Sequence, residues 1–359
     1  MKDVSGWCAQ TSFGEVLLVM TRNIIFFGLL TSPNSAFALT CRQVEDIKAD
    51  IRALIPNADG PYLEYGQEIT PAQRARGDFI GGVVRLGWHD GSTYSQEDSN
   101  GGMDGCLNFD DPANKGLRGI WQELRPVYRN YEDVCSRADF TSLATITVIK
   151  AAGGPDIEIP YGRVDADECD EDWGRFPSLK KSRDHVRKVF RRMGFTMQEA
   201  VALMGAHTVG RCELKNFGLE GPWAENEHVF DNAYYHKMLD LVWERKVEVT
   251  EEFGSQPHWD HAKMLLMLNT DISLAWNIDG DNDDPNHGDP HKCGGDMQCD
   301  TQNSYRHVAR YAQSQEEWFE DFSSAWIKLL SLGQDGDLQK CESEEDSDSY
   351  DDRSWFSSW

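Results

Sequence analysis

The chain has 359 residues, 61 of them acidic and 35 basic, which gives a formal net charge of −26. A chain of this length can bury a core large enough to enclose a pocket, and its 40% hydrophobic content is typical of globular proteins. Because phosphate backbones carry the same sign of charge, we expect no nucleic-acid partner, and cationic or neutral partners are favoured.

Residues 1–38 are predicted to be a signal or targeting segment. The apolar stretch from Glu15 to Leu30 is interrupted by Arg22 and is too short and broken for a comfortable membrane-spanning helix. Ala36-Phe37-Ala38 has the small residues of a cleavage site, so the mature chain should begin near Leu39 without a stable membrane anchor. This indicates the secretory pathway or the cell exterior. The alternatives for the segment itself are a buried helix or a membrane anchor. The alternative location is a plastid of secondary origin, because the string Ser-Ala-Phe-Ala resembles the cleavage motif of proteins sent there.

Helical periodicity dominates from Cys41 onward. Four apolar residues recur at the spacing of one helix face: Val44, Ile47, Ile51 and Leu54. A second apolar run extends from Gly77 to His89. Further helices are predicted at Gly116 to Asn130, Phe140 to Ala151, Lys180 to Met193, Thr196 to Gly205, Asn232 to Val242 and Ser314 to Leu332. No long alternating strand is recognised, so a mostly helical chain is expected.

Residues 277–304 and 333–359 depart from this pattern. The first segment is rich in Gly, Asp, Asn and Pro and predicts an inserted surface loop clipped by Cys293 and Cys299. The second is acidic and serine-rich and predicts a disordered tail. The cysteines after the proposed cleavage site are even in number. In an exported protein such cysteines typically form disulfides, whereas in a reducing compartment they would stay free.

The first group of candidate functional residues lies in the run VVRLGWHDGSTY. On a helix, Arg85, Trp88 and His89 stand at i, i+3 and i+4, so all three project from one face. A cation, an aromatic wall and a titratable base would then point into one cavity. A single helical histidine is more often an ordinary packed residue, and it is the neighbours of His89 that favour catalysis.

The second group centres on His207. The apolar helix from Ala200 to Met204 ends in Gly205 and Ala206 just before it, which would let a flat and bulky group approach the backbone. Haem fits that description, since peroxidases hold iron through a proximal histidine. Such a ligand normally donates its other ring N–H to a carboxylate, and Asp271 is the candidate.

The motifs RLGWHDGST, DPANKGL, YGRVDA, VALMGAHTVGR, NFGLEGPW and VFDNAYY occur in an order that resembles class I of the plant, fungal and bacterial haem peroxidases, the class of cytochrome c and ascorbate peroxidases. The resemblance covers roughly residues 41–332. It implies an all-α fold in which two helical lobes, residues 39–170 (distal) and 171–332 (proximal), enclose one haem b. The implied enzyme reduces hydrogen peroxide to water through a ferryl intermediate while oxidising a one-electron donor.

The resemblance also implies roles on the two sides of the haem. On the distal side His89 acts as base and then acid, Arg85 stabilises charge on the leaving oxygen, Trp88 limits access and Asn114 keeps His89 basic. On the proximal side His207 ligates iron, Asp271 gives it anionic character, and Trp223 packs beside it. Trp223 either holds a radical or merely packs.

Two cation sites are suggested by the same resemblance. A proximal site for potassium or calcium would use Thr208, Asn226 and Asp231, because oxygen ligands suit these ions. A distal calcium site, typical of secreted class II enzymes, would use Asp90, Gly102 and Asp104. Cys106 stands there in place of the usual serine, and ordinary turn chemistry is an equal alternative. A likeness to secreted class III enzymes suggests a disulfide between Cys41 and Cys135.

The resemblance leaves the electron donor open. Asn216 stands where ascorbate peroxidases have an arginine, which argues against ascorbate and favours a small aromatic or protein donor. Asp78 and Glu213 match two of three manganese-binding positions of other peroxidases, but Gly82 occupies the third. A catalytically silent haem-binding scaffold or adhesion protein is the alternative, although the pocket residues for peroxide cleavage are all present.

Overall fold

The computed structural model describes residues 38–343, apart from residues 59, 61, 65, 170–174, 263, 279–291, 296–298, 335 and 337. Within these residues the helices, in chain order, are α1 (Cys41–Leu54), α2 (Pro71–Gly91), α3 (Leu117–Tyr128), α4 (Arg137–Ala151), α5 (Arg183–Arg192), α6 (Met197–Met204), α7 (Leu214–Phe217), α8 (Ala233–Asp240), α9 (Asn269–Ala275), α10 (Tyr305–Gln313) and α11 (Gln315–Leu330). The predicted helical fold class is confirmed, and α7, α9 and α10 are additional helices.

Local sequence determines where several of these helices begin. Thr40, Thr70 and Thr196 cap α1, α2 and α6, and in each case the residue at the third helical position bonds back to the cap. This reciprocal arrangement satisfies backbone N–H groups that a helix start otherwise leaves free. The core-facing stripe of α1, which includes Val44, Ile47 and Ile51, is buried as the periodicity predicts.

A small antiparallel sheet follows α8 and was not predicted. Its strands β3 (Trp243–Thr250), β4 (Gly254–His261), β5 (Leu265–Leu268) and β6 (Lys292–Cys293) lie in the order β5-β4-β3-β6. A separate two-stranded pair joins β1 (Arg211–Cys212) to β2 (Gly221–Pro222). A signal was present in the sequence, because Val247 and Val249 alternate with Lys246 and Glu248 at the period of a strand.

Three disulfides join the described residues: Cys41–Cys341, Cys106–Cys169 and Cys293–Cys299. The predicted Cys41–Cys135 bridge is therefore wrong. Cys135 is a free, fully buried thiol, whereas the Cα atom of Cys341 lies 4.8 Å from that of Cys41, within bonding geometry. Burial raises the pKa of the Cys135 thiol well above its usual value, so this thiol stays protonated.

The segment after residue 332 is more ordered than predicted. Besides the Cys341 disulfide, Gln339 pairs with Tyr161 through both backbone hydrogen bonds, and Glu342 bonds to the backbone of Leu39 and Cys41. The prediction of a disordered tail is thus corrected for residues 338–343, because the disulfide and this pairing hold them against the start of the domain. Residues 344–359 lie outside the described residues.

Several domain predictions fall on residues that the structure does not describe. These are residues 1–37 of the targeting segment, the lobe boundary at 170/171, and most of the 277–304 loop; the described part of that loop contains β6 and the Cys293–Cys299 disulfide. Of the helices in the described part of the chain, none has the length and apolar character needed to cross a membrane.

Candidate active site

Helix α2 presents His89 with a defined tautomer. The His89 Nδ1 atom lies 2.8 Å from Asn114 Oδ1, and Asn114 Nδ2 donates to the carbonyl of Asn108 at 2.9 Å. Because that second bond fixes the amide orientation, Asn114 Oδ1 must accept, and the proton of a neutral His89 is on Nδ1. The lone pair of Nε2 is then free to take a proton from a ligand.

His89 is held in its neutral form. The side chain is buried, its ring stacks on Phe176 with centroids 4.3 Å apart, and its pKa lies well below the usual value. Burial is the main cause, and the positive charge of Arg85 lowers the pKa further, while the bond to Asn114 acts in the opposite direction. At neutral pH His89 is therefore a base. Phe176 was not predicted, since its aromatic type alone does not indicate a contact with His89.

Arg85 is fixed by backbone carbonyls and an aromatic ring. Its two terminal nitrogens donate to Lys115 O and Ala113 O, both at 2.9 Å, and its guanidinium lies 4.8 Å from the centroid of the Phe217 ring. Burial lowers the Arg85 pKa to about 10, so the side chain remains charged at neutral pH. Trp88, between Arg85 and His89 on the same helix face, packs on Phe190 at 5.3 Å.

His207 lies in a 3₁₀ turn, Gly205–Thr208, that follows α6. Its Nδ1 atom donates to Asp271 Oδ1 at 2.8 Å, and its ring stacks on Trp223 with centroids 4.2 Å apart. The His207 side chain is 32% exposed while Asp271 is fully buried, so the accessible part of the ring is turned away from the carboxylate. Its Nε2 atom is thus available as a ligand.

Asp271 is the centre of the proximal hydrogen bonds. Its Oδ1 atom accepts from His207 Nδ1 and from the hydroxyl of Tyr234, at 2.8 and 2.7 Å. Its Oδ2 atom accepts from Trp223 Nε1 at 2.8 Å and from the backbone N–H of Leu268 at 2.7 Å. Four donors compensate the burial of this negative charge. Tyr234 was not predicted; the VFDNAYY motif contained it without indicating which way its hydroxyl points.

The structure changes the explanation for Gly205. A Cβ atom added there would lie 2.3 Å from the Tyr235 hydroxyl and 2.7 Å from Trp318 Nε1. Glycine is therefore required because α6 ends against aromatic side chains of α8 and α11, rather than to admit a flat group. A close approach does occur between Gly81 of α2 and Gly210 after His207, where a Cβ on Gly81 would lie 2.7 Å from the Gly210 Cα. This contact joins the two histidine-bearing segments.

The proximal cation residues are already bonded to protein groups. Asp231 accepts from the hydroxyls of Thr208 at 3.1 Å and Tyr62 at 2.9 Å. Asn226 instead pairs through both its amide atoms with the backbone of Leu63, at 2.7 and 2.9 Å. The structure thus brings Thr208 and Asp231 together but commits Asn226 to an anchoring role.

The distal cation residues form a turn with a buried acid. Asp90 accepts from the backbone N–H groups of Asp104 and Gly105 at 3.3 and 3.1 Å, and Gly102 N donates to the Thr93 hydroxyl. Burial raises the Asp90 pKa well above its usual value, and the charge of Asp104 adds to this. Cys106 is in a disulfide. Among the described residues, no group of three or more His, Cys, Asp or Glu side chains is arranged to hold a metal ion.

The candidate manganese positions do not form a complete site. Burial raises the pKa of Asp78 and the nearby charge of Glu213 raises it further, so these two carboxylates lie close enough to interact. Gly82 cannot be replaced by an acid without a shift, because a Cβ there would lie 2.4 Å from Ile120 Cδ1. Asn216, at the position expected to discriminate against ascorbate, donates to Glu213 Oε2 at 2.6 Å.

Comparison with known proteins agrees with this geometry. The sequence profile described as "Peroxidase" matches residues 66–279, more than half of the chain. The chain belongs to the peroxidase family. A putative heme-binding peroxidase of Gibberella zeae is 35% identical over 262 residues, 70% of this chain and 71% of its own. A mitochondrial cytochrome c peroxidase of Emericella nidulans is 33% identical over 341 residues, 91% of this chain and 84% of its own.

A third relative, a putative heme-binding peroxidase of Debaryomyces hansenii, is 34% identical over 70% of this chain, and the match spans 54% of that protein's length. Together these matches identify the chain as a haem peroxidase close to class I, an oxidoreductase with haem as cofactor. The residues present fit haem. His207 offers a free Nε2 atom backed by a buried carboxylate, and α2 carries a partly buried cation and a neutral base.

The predicted location is wrong. Relatives from Yarrowia lipolytica, Emericella nidulans and Aspergillus fumigatus are named as mitochondrial, which contradicts a secretory or extracellular location and gives no support to a plastid. The string Ala36-Phe37-Ala38 is a weak indication of a secretory cleavage site, because short targeting patterns are weakly specific.

Proposed function

We propose that this peroxidase reduces hydrogen peroxide with His89 as acid–base catalyst and His207 as iron ligand. The observation that carries the assignment is the contrast between the two histidine partners. His89 Nδ1 bonds to a neutral amide, whereas His207 Nδ1 bonds to a buried carboxylate. A carboxylate partner makes an imidazole a stronger electron donor to a metal, and an amide partner keeps it a neutral base.

Haem, when bound, supplies the iron at which the peroxide bond is cleaved and which stores the oxidising equivalents. His89 Nε2 takes the proton from one peroxide oxygen and returns it to the other, so that water leaves. Arg85 stabilises the charge on the leaving oxygen, and one such fixed donor is worth about 3 kcal/mol. Phe176 stacks on the His89 ring, and Trp88, on the same face of α2, helps to restrict access to small molecules.

The experiment is the replacement His89→Leu in the haem-loaded protein. We expect haem to stay bound and the Soret change on adding one equivalent of peroxide to slow by at least about 100-fold, the low end of acid–base contributions. His236→Leu is the matched control, since His236 is exposed on α8 and its side chain contacts Asp240. Equal rates for the two variants would contradict the assignment. A native protein without any Soret change would support the silent scaffold instead.

We propose neutral phenols or a basic protein as donors in preference to ascorbate. The net charge of −26 favours cationic partners over anions, and the related proteins named cytochrome c peroxidase suggest a protein donor. Asn216 lacks the charged, bidentate contact that an arginine gives an anion. Because Asn216 bonds to Glu213, an arginine introduced there would pair with that carboxylate.

Catalytic efficiency for ascorbate and guaiacol tests this donor preference. Native protein should prefer guaiacol, and Asn216→Arg should improve ascorbate turnover only when combined with Glu213→Gln. A native preference for ascorbate, or no improvement in the double variant with an intact Soret band, would refute the proposal.

We also propose a mitochondrial location, in a compartment where the three disulfides can form. Organelle fractionation followed by non-reducing peptide mapping would test this location.

A further inference from the structure

An open surface groove of about 600 Å³ lies along helix α11. Its lining combines the carboxylates of Glu316 and Glu320 with the apolar surfaces of Phe319 and Pro155. Among the residues that line it there is no Lys, Arg or His. The groove therefore offers an aromatic contact beside two negative charges.

The acidic residues of α11 fall into two pairs with different surroundings. Glu317 and Asp321 both contact Arg310. Glu316 and Glu320, at i and i+4 on the groove side, are exposed and have no ion pair with any described residue. Like charges at this spacing destabilise a helix. A cation bound in the groove would remove that repulsion.

A series of aromatic contacts leads from the groove to the proximal pocket. The Phe319 ring lies 5.2 Å from Trp318, which is fully buried and lies 5.5 Å from Tyr235. Tyr235 lies 5.1 Å from Tyr234, whose ring is 6.0 Å from His207. All are centroid distances of rings in contact. Electron tunnelling weakens steeply with distance, so oxidisable Trp and Tyr side chains divide the span into shorter steps, which aliphatic side chains cannot do.

We propose that this groove is a donor site for small, cationic, aromatic one-electron donors, whose electrons reach the proximal pocket through Trp318 and Tyr234. The proposal rests on the peroxidase function proposed above and adds the class of donor and its place of entry. It is separate from the region of Asn216, which lies on α7.

The steps balance as follows. With haem bound in the pocket as the electron acceptor, Tyr234 would give up one electron and pass its hydroxyl proton to Asp271 Oδ1, 2.7 Å away, which would leave a neutral tyrosyl radical. Trp318 returns an electron across the Tyr235 ring, and the proton moves back to Tyr234. The donor then reduces the Trp318 cation radical and leaves in its one-electron-oxidised form. Two donors are consumed for each peroxide, and the two protons needed to form two waters come from solvent.

Tyr235 serves only as a bridge in this route. Its hydroxyl donates to the carbonyl of Val201 at 2.8 Å, and a carbonyl is too weak a base to take the proton that tyrosine oxidation releases. Trp318 donates Nε1 to the carbonyl of Ala202 at 3.0 Å, but a tryptophan can be oxidised to a cation radical without losing that proton.

A matched pair of donors tests the groove. (Dimethylaminomethyl)ferrocene is a cation at neutral pH and ferrocenecarboxylate is an anion of similar size. In the haem-loaded full chain, Glu316→Gln/Glu320→Gln should lower kcat/KM for the cation about fivefold at low ionic strength, the scale of two exposed charge contacts, without lowering it for the anion. Asp46→Asn/Glu123→Gln, which removes two exposed charges from α1 and α3, is the control. Equal changes in kcat/KM for the cation in the two double variants would refute the groove as the donor site.

A binding measurement gives a readout independent of turnover. Benzyltrimethylammonium, a redox-inert aromatic cation, should show saturation-transfer NMR signals with the native protein that weaken in Glu316→Gln/Glu320→Gln and persist in the control. The same signals in both variants would place the cation elsewhere and refute the site.

The electron route is tested by a second matched pair. Trp318→Phe and Trp326→Phe each remove one buried indole and one hydrogen bond, to Ala202 O and to Thr145 Oγ1 respectively. Only Trp318→Phe should lower the kcat for the cationic ferrocene, and the rate of the peroxide-induced Soret change should be unchanged in both. Equal kcat values would overturn the route. A native protein without the Soret change would refute the peroxidase function itself. A normal Soret change together with equal kcat values for Trp318→Phe and Trp326→Phe would refute only this inference.

Discussion

Replacing Tyr234 with phenylalanine should lower the ferric/ferrous reduction potential of the haem-loaded protein. Tyr234 and His207 donate to the same oxygen of Asp271, so they compete for its negative charge. Burial and the charge of Asp271 raise the Tyr234 pKa well above its usual value, which keeps the hydroxyl protonated and donating. Without it, Asp271 Oδ1 would draw the His207 proton more strongly. The more anionic imidazole would stabilise ferric over ferrous iron.

The magnitude follows from the strength of the lost bond. A hydrogen bond to a charged group contributes about 1.5–3 kcal/mol. The two donors to Asp271 Oδ2, Trp223 and Leu268, remain and hold the carboxylate in place. If about 1 kcal/mol of the loss reaches the iron, the potential falls by about 40 mV, since about 59 mV in a one-electron couple is a factor of ten.

Spectroelectrochemical titration of the native protein, Tyr234→Phe and Tyr235→Phe measures this shift. Tyr235→Phe is a close control, because Tyr235 is equally buried on the same helix but donates to a backbone carbonyl instead of the carboxylate. Its potential should match that of the native protein. A Tyr234→Phe potential equal to or above the native value would refute the competition for Asp271 Oδ1.

Three further predictions follow from other contacts. The rate of reaction with peroxide, measured by stopped flow, should fall as the pH drops through the His89 pKa. Because the charge of Arg85 lowers that pKa, Arg85→Leu should move this fall in rate to higher pH. Arg163→Met, which leaves the Asp139 carboxylate buried without its partner, should cost about 3–5 kcal/mol in urea unfolding, and a cost below about 1 kcal/mol would contradict the ion pair. Replacing Cys41 and Cys341 with serine should lower the unfolding free energy by up to about 5 kcal/mol, and recovery of either cysteine as a free thiol from native protein would refute their pairing.

Local patterns predicted much of the helical framework. The apolar stripe of α1 depends on residues within one or two turns of each other, so its consequence is visible in a single segment. The sheet after α8 was missed although Val247 and Val249 alternate, because a strand becomes recognisable mainly through partners that lie elsewhere in the chain.

The sequence by itself determined that Arg85, Trp88 and His89 share one helix face, because this depends only on helical spacing, and the order of its motifs indicated the family. Tertiary structure decided the rest of the site. The tautomer of His89, the four donors of Asp271 and the commitment of Asn226 to Leu63 depend on segments distant in sequence. Likewise Cys41 pairs with a residue 300 positions away and not with Cys135. Such pairings arise from the packing of whole helices and strands. The number of residues between two positions does not say how far apart that packing places them.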